Sequence, residues 1–160
     1  MSRFKVACLV FLGFMVLMGS EAIAESGCVP VSIQSEAAST DPVNVFALYK
    51  GTMAAIMEGL PAVAGATTIA PREIKMGDDG SIHMISTLTV FLPDGSTLKQ
   101  NDDAVLDPTE TPLVYRVNSR LNIVEGTGVF TNTVGKFNGH GVFNLATGHI
   151  EVIADGKLCW

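Results

Sequence analysis

The sequence lacks an apolar run long enough to cross a membrane, and it is poor in positive charge. The uncharged apolar run from Val6 to Met18 has 13 residues, whereas a membrane-spanning helix needs about 20. Only ten basic side chains stand against sixteen acidic ones. Nucleic acid and anionic membrane surfaces are therefore poor partners, and we predict that the protein does not bind nucleic acid.

Motifs of the common catalytic classes are missing as well. Nucleophilic hydrolases carry a Gly-x-Ser-x-Gly elbow or a Cys-Gly-Ser-Cys segment, and neither occurs here. Phosphate loops of the Walker or dinucleotide type are absent too. The three histidines, His83, His140 and His149, do not have the spacing of metal ligands. The sequence thus predicts no cofactor and no metal site, and it assigns no catalytic residue.

The N-terminal segment has the order of a secretory signal peptide. Arg3 and Lys5 precede the apolar run, and Ala22 and Ala24 supply the small side chains that a signal peptidase requires. We therefore predict that residues 1–24 are removed and that the protein is secreted or periplasmic. A lipoprotein signal is disfavoured, because the residues before Cys28 lack the expected aliphatic side chain.

Cleavage after residue 24 leaves one short acidic chain with two cysteines. The cut removes two of the ten basic and one of the sixteen acidic residues, which leaves eight against fifteen. About 136 residues remain, enough for a single domain. Cys8 leaves with the signal, so Cys28 and Cys159 are predicted to form one disulfide in an oxidising compartment.

The rest of the chain has the pattern of an all-β protein. Residues 25–41 are predicted as an irregular lead-in and residues 42–160 as a single β-barrel-like domain. Within 42–60 the pattern fits either a helix or a strand, and the β-branched residues favour a strand. Beyond residue 65, turn signals recur at short intervals between segments rich in β-branched and aromatic residues. We predict an antiparallel barrel or barrel-like sandwich of about seven or eight strands.

Two strands can be predicted in detail. The segment 113–123 alternates, with one apolar face formed by Leu113, Tyr115, Val117, Leu121 and Ile123. For the last hairpin, a two-residue turn at 147–148 would place Phe143 opposite Val152, Gly141 opposite Ala154 and His140 opposite Asp155. Its inward glycines either let the sheet bend or leave room for a ligand. The predicted ligand-binding residues are Gly139, Gly141, Phe143 and Ala154.

Charged segments are predicted to lie on the solvated surface. The acidic stretch of Asn101, Asp102 and Asp103, together with Asp107 and Glu110, is interpreted as solvated loop, because it does not match a calcium-binding loop. Asp78 and Asp79 are assigned to a hairpin turn. Arg116 and Arg120 are assigned to the outer face of a strand.

The glycine pattern of the C-terminal third resembles a known kind of barrel. Gly126-Thr127-Gly128-Val129-Phe130 precedes Gly135, and the segment is similar to a stretch of the allene oxide cyclase and dirigent family and to many secreted proteins of unassigned role. The resemblance implies an antiparallel barrel with an apolar interior. The functional acids of that family have no matching position here, so no catalytic residue is transferred.

These patterns favour a non-catalytic extracytoplasmic barrel that binds a small apolar ligand. Two alternatives stay open: a cyclase or isomerase acting on an apolar substrate in the barrel cavity, and a structural or assembly protein of the cell envelope. Polar side chains that point inward would separate an enzyme from a binding protein. From the alternation, only Ser119 is placed on an apolar face.

Overall fold

The computed structural model describes residues 27–44 and 46–160, and these fold into strands joined by short loops. The predicted signal peptide lies outside the described residues. One turn of 3-10 helix, Gly128–Phe130, follows the sixth strand. The strands are β1 (Cys28–Ser39), β2 (Tyr49–Met57), β3 (Val63–Met76), β4 (Ile82–Phe91), β5 (Thr97–Pro108), β6 (Val114–Gly126), β7 (Val134–Asn144) and β8 (His149–Cys159).

The eight strands form one closed antiparallel barrel in which each strand pairs with its neighbours in the sequence and β1 pairs with β8. The all-β prediction is confirmed, and closure decides for the barrel over the sandwich. The preference for a strand within 42–60 is confirmed over residues 49–57. The described part of the chain contains no helix long and apolar enough to cross a membrane.

The irregular lead-in predicted for 25–41 is wrong over residues 28–39, because this segment forms β1. Its small polar residues hid a two-residue alternation: Val31 and Ala37 are buried, and the residues between them alternate between the interior and solvent. Without β1 the barrel could not close, since this strand pairs with both β2 and β8.

The predicted disulfide is present and lies at the seam of the barrel. Cys28 and Cys159 are opposite each other in the register between β1 and β8, and their sulfur atoms are bonded. The backbone nitrogen of Trp160 also donates a hydrogen bond to the carbonyl oxygen of Gly27 at 3.3 Å. The two ends of the described chain therefore meet at one point of the barrel.

The last hairpin has the predicted faces but a different register. Phe143 pairs with Ile150, Gly141 with Val152 and Gly139 with Ala154, a shift of two residues from the prediction. The loop has four residues, not two. The side-chain oxygen of Asn144 accepts hydrogen bonds from the backbone nitrogens of residues 146 and 147 and stabilises this longer loop. Gly148 closes the loop with a positive φ of 67°.

A slip of two residues keeps each side chain on its own face, and this is why facial polarity alone could not detect the error. The predicted solvent-facing pair of His140 with Asp155 is also wrong: His140 is opposite Ile153, and Asp155 is opposite Asn138. On β6 the alternation is confirmed, except that Leu113 precedes the strand in a turn, at a φ of 63°, and is exposed.

The barrel interior contains two apolar clusters, one toward each end. The cluster at the disulfide end includes Val31, Leu121 and Phe137, and the other includes Tyr49, Leu106 and Phe143. Side chains of both clusters alternate with outward residues along every strand, as the period of a strand requires. Buried polar residues lie between the two clusters, and they form the candidate site in the interior.

Candidate functional site

A belt of polar side chains crosses the middle of the barrel between the two apolar clusters. Along β5, for example, Leu98 belongs to one cluster and Ala104 to the other, with Gln100 and Asp102 between them. We call this set the polar belt; its members are Ser35, Thr67, Ser86, Gln100, Asp102 and Ser119. Except for the half-buried Ser35, all are buried, with Ser86 at 0% and Gln100 at 2% exposure.

Asp102 is the most unusual member, because carboxylic acids are rarely buried without a cationic partner. Its side chain faces Ser86 across the ladder, and the Ser86 hydroxyl donates to Oδ2 at 3.0 Å. Burial raises the pKa of Asp102 to about 6; the hydroxyls of Ser86 and Ser119 act in the opposite direction, while the charge of Asp103 adds to the rise. The carboxyl group is thus half-protonated at about pH 6, where an ordinary aspartate is almost fully ionised.

Two atoms of the polar belt have no hydrogen-bond partner among the described residues. These are Oδ1 of Asp102 and the hydroxyl oxygen of Thr67. A buried polar atom left without a partner costs about 1 to 3 kcal/mol, and such atoms are few in native proteins. The belt therefore offers unused hydrogen-bonding capacity to a molecule that enters the barrel.

A cavity of about 50 Å³ lies beside the belt. Gln100, Ser119, Thr67 and Ser35 contribute its polar wall, and the remaining wall is apolar, formed by residues such as Met53, Leu88 and Val152. This volume accommodates water-sized molecules, whereas a cavity of about 150 Å³ is needed for benzene. A larger guest must displace side chains, and methionine is the most adaptable of those present.

The residues predicted to bind a ligand lie at different parts of the interior. Ala154 lines the cavity of the polar belt, and Phe143 lines a smaller gap of about 10 Å³ beside Tyr49. A Cβ atom added to Gly139 would contact the hydroxyl of Ser119, so this glycine leaves room for a belt side chain. A Cβ atom added to Gly141 would overlap the backbone carbonyl of Glu151. Close approach of two strands thus requires glycine at 141.

This difference gives a paired prediction. Gly141→Leu should lower the free energy of unfolding by about 1 to 3 kcal/mol, because overpacking against backbone forces the strands apart. Gly139→Ala should cost less, because the Ser119 side chain can rotate away. Urea unfolding of both variants measures the two effects. Equal effects, or a neutral Gly141→Leu, would contradict the assignment of Gly141 to strand curvature.

The charged residues singled out in the sequence are mostly on the surface. His83 faces Asp103 at 2.6 Å and His149 faces Glu151 at 3.0 Å, both as exposed pairs. Within the described residues, no group of three or more His, Cys, Asp or Glu side chains is placed to hold a metal ion. Arg116 and Arg120 are exposed on β6 as predicted.

The interpretation of residues 101–103 as a solvated loop is wrong. They lie within β5, where Asn101 and Asp103 point outward and Asp102 points into the barrel. Asp107 also belongs to this strand, while Glu110 is in the following loop. The turn predicted at Asp78 and Asp79 is confirmed, and the side chain of Asp79 accepts hydrogen bonds from Ser81.

Sequence reasoning predicted one inward polar residue, Ser119, and missed the others. The signal for Gln100 and Asp102 was present, because they have the same parity as Leu98, Ala104 and Leu106, which are apolar. The acidic neighbours of Asp102 obscured that alternation. Comparison of the chain with protein-family models, curated proteins and solved structures finds no match.

Proposed function

We propose that this protein is an extracytoplasmic, non-catalytic barrel whose interior binds a small, mainly apolar ligand that carries one hydrogen-bonding group. The observation that carries the proposal is the hydroxyl of Thr67, a member of the polar belt that lines the mostly apolar cavity and has no hydrogen-bond partner among the described residues. A barrel selected only for stability would gain from apolar residues at these positions.

The extracytoplasmic location is supported by two independent features. The disulfide between Cys28 and Cys159 is typical of oxidising compartments. The order of basic, apolar and small residues in 1–24 is that of a secretory signal. The proposed similarity to allene oxide cyclase and dirigent barrels is consistent with a closed antiparallel barrel, although that fold hosts many functions.

The size of the cavity restricts the ligand. At about 50 Å³, the cavity accepts molecules of a few heavy atoms directly, and larger ones only when Met53 or its neighbours move. We therefore test the site with phenol and benzene, a matched pair that differs by one hydroxyl. The hydroxyl of phenol can donate to the hydroxyl oxygen of Thr67, which lines the cavity and has no partner among the described residues, while the ring packs against the apolar wall.

We expect phenol to bind more tightly than benzene, and Thr67→Val to abolish this difference while leaving benzene binding intact. Valine has nearly the shape of threonine but no hydroxyl. Asp102→Leu serves as the control, because it removes the other unpartnered atom of the belt without changing a residue that lines the cavity. Amide chemical shifts of residues 100 and 119 report the binding by NMR. If neither probe perturbs these amides, the interior is not a ligand site and a structural or assembly role is the better interpretation.

A second candidate is the cyclase or isomerase, and Asp102 is the observation that favours it. General acid-base catalysis is most efficient with a pKa near the working pH, and burial brings the pKa of Asp102 to about 6. Native mass spectrometry of protein purified from its own host identifies any molecule held in the barrel. Incubation with that molecule then separates the two functions: an enzyme returns an isomer, and a binding protein returns the molecule unchanged.

A further inference from the structure

A groove of about 1100 Å³ lies on the outside of the barrel, distinct from the interior cavity. Outward residues of six adjacent strands form a continuous row along it, each opposite the next in the strand registers. The row consists of Val142, Glu151, Glu36, Thr52, Ala66 and Phe91. Because neighbouring strands are about 4.8 Å apart, the row is about 24 Å long.

The row has apolar ends and an acidic segment. Val142 and Phe91 are 49% and 42% exposed, which is high for large apolar side chains. A second row beside it adds Ala54 and Ala64, whose small side chains leave the floor of the groove open. Each end of the row therefore offers an apolar contact to a molecule that lies along the groove.

The acidic segment consists of two carboxylates placed directly against each other. Glu36 and Glu151 are cross-strand partners on the outer face of β1 and β8, an arrangement that destabilises a sheet. Among the described residues, Glu36 has no ion-pair partner and Glu151 contacts only His149. None of the described residues that line the groove is a lysine or an arginine. The charge in the groove therefore remains available to a cation from outside.

We propose that this outer groove binds an extended segment of another protein, about seven residues long, that carries a lysine or arginine between apolar side chains. The length follows from the row, because an extended chain covers about 3.4 Å per residue. The basic residue would sit between Glu36 and Glu151 and remove their repulsion. Apolar residues on either side would cover Val142 and Phe91.

An NMR titration with two synthetic peptides tests this proposal. The first is the acetylated and amidated peptide Leu-Ala-Lys-Ala-Ala-Ala-Leu, and the second has Glu in place of Lys. We expect the lysine peptide to bind more tightly, to weaken as salt is added, and to shift the amides of residues 36, 66 and 151. Preference for the glutamate peptide, or shifts confined to the outer faces of β5 and β6, would overturn the proposal.

Substitutions separate the contribution of the acidic charge to peptide binding from that of the apolar contact. Glu36→Gln should weaken the lysine peptide roughly two- to fivefold, the range of an exposed ion pair, without weakening the glutamate peptide. The control Glu110→Gln makes the same charge change in a loop outside the groove. Ala66→Trp should fill the floor and weaken both peptides. Sedimentation of the protein alone tests whether a second copy of the chain occupies the groove. Dimerisation that Ala66→Trp abolishes would make the groove a contact between two copies and refute the proposal.

Discussion

Loss of the disulfide between Cys28 and Cys159 is expected to lower the free energy of unfolding by about 4 to 5 kcal/mol, the range for loops of about 100 residues or more. The two cysteines are 131 residues apart in the sequence, so the bridge restricts all eight strands of the barrel in the unfolded state. For a domain of this size, such a loss lowers the melting temperature by roughly 10 to 20 °C. Urea and thermal unfolding of a Cys28→Ser, Cys159→Ser double variant measure the effect.

The native β1 and β8 ladder remains in that variant, so the barrel should still fold. Treatment of the wild-type protein with a reductant should reproduce the loss, and the same treatment should leave the double variant unchanged. An unchanged midpoint in the double variant would mean that the bridge contributes nothing to stability.

Raising the pH from 4 to 7 is expected to destabilise the protein through Asp102. Burial raises its pKa from 3.8 to about 6 in the folded state. Between pH 3.8 and about 6, the carboxyl group is therefore mostly protonated in the folded state and mostly ionised in the unfolded state. Stability from this group is complete below about pH 4, falls as the pH rises, and is lost above about 6. The difference corresponds to about 3 kcal/mol.

Asp102→Asn removes this titration, and the variant should show a nearly flat free energy of unfolding between pH 4 and 7. At pH 7 it should be more stable than the wild-type protein. Asp155→Asn is the matched control, because Asp155 is exposed on the outer face of β8 and its loss should leave the slope intact. A wild-type protein whose stability rises steadily with pH over this window would show that Asp102 is ionised in the folded state.

The class of fold was predictable because its signals are local. Turn residues mark five of the connections, and the alternation along β6 and β7 places Val117, Leu121 and Phe137 inside. β1 was missed because its alternation uses weakly apolar and small polar residues, such as Ser35 and Ala37, whose burial depends on partners far away in the sequence. Closure of the barrel is a long-range property of the same kind.

The candidate site was predictable only in part, for a different reason. Ser119 was found because its neighbours of the same parity are all apolar. Asp102 was missed because an acid beside Asn101 and Asp103 is normally solvated. The folded barrel buries this side chain in spite of the desolvation cost. Gly139 and Gly141 were correctly placed inward, but whether a glycine adjoins a side chain or a backbone carbonyl depends on strand curvature, which the sequence does not show.

The pairing of β1 with β8 also determines when this protein can fold. β1, the first strand of the barrel to be synthesised, pairs with β2 on one side, and its partner on the other side is β8, residues 149–159, the last strand of the barrel. The barrel therefore cannot close, and Cys28 cannot find Cys159, until the last strand has been delivered. Delivery of β8 and completion of the fold therefore become the same event.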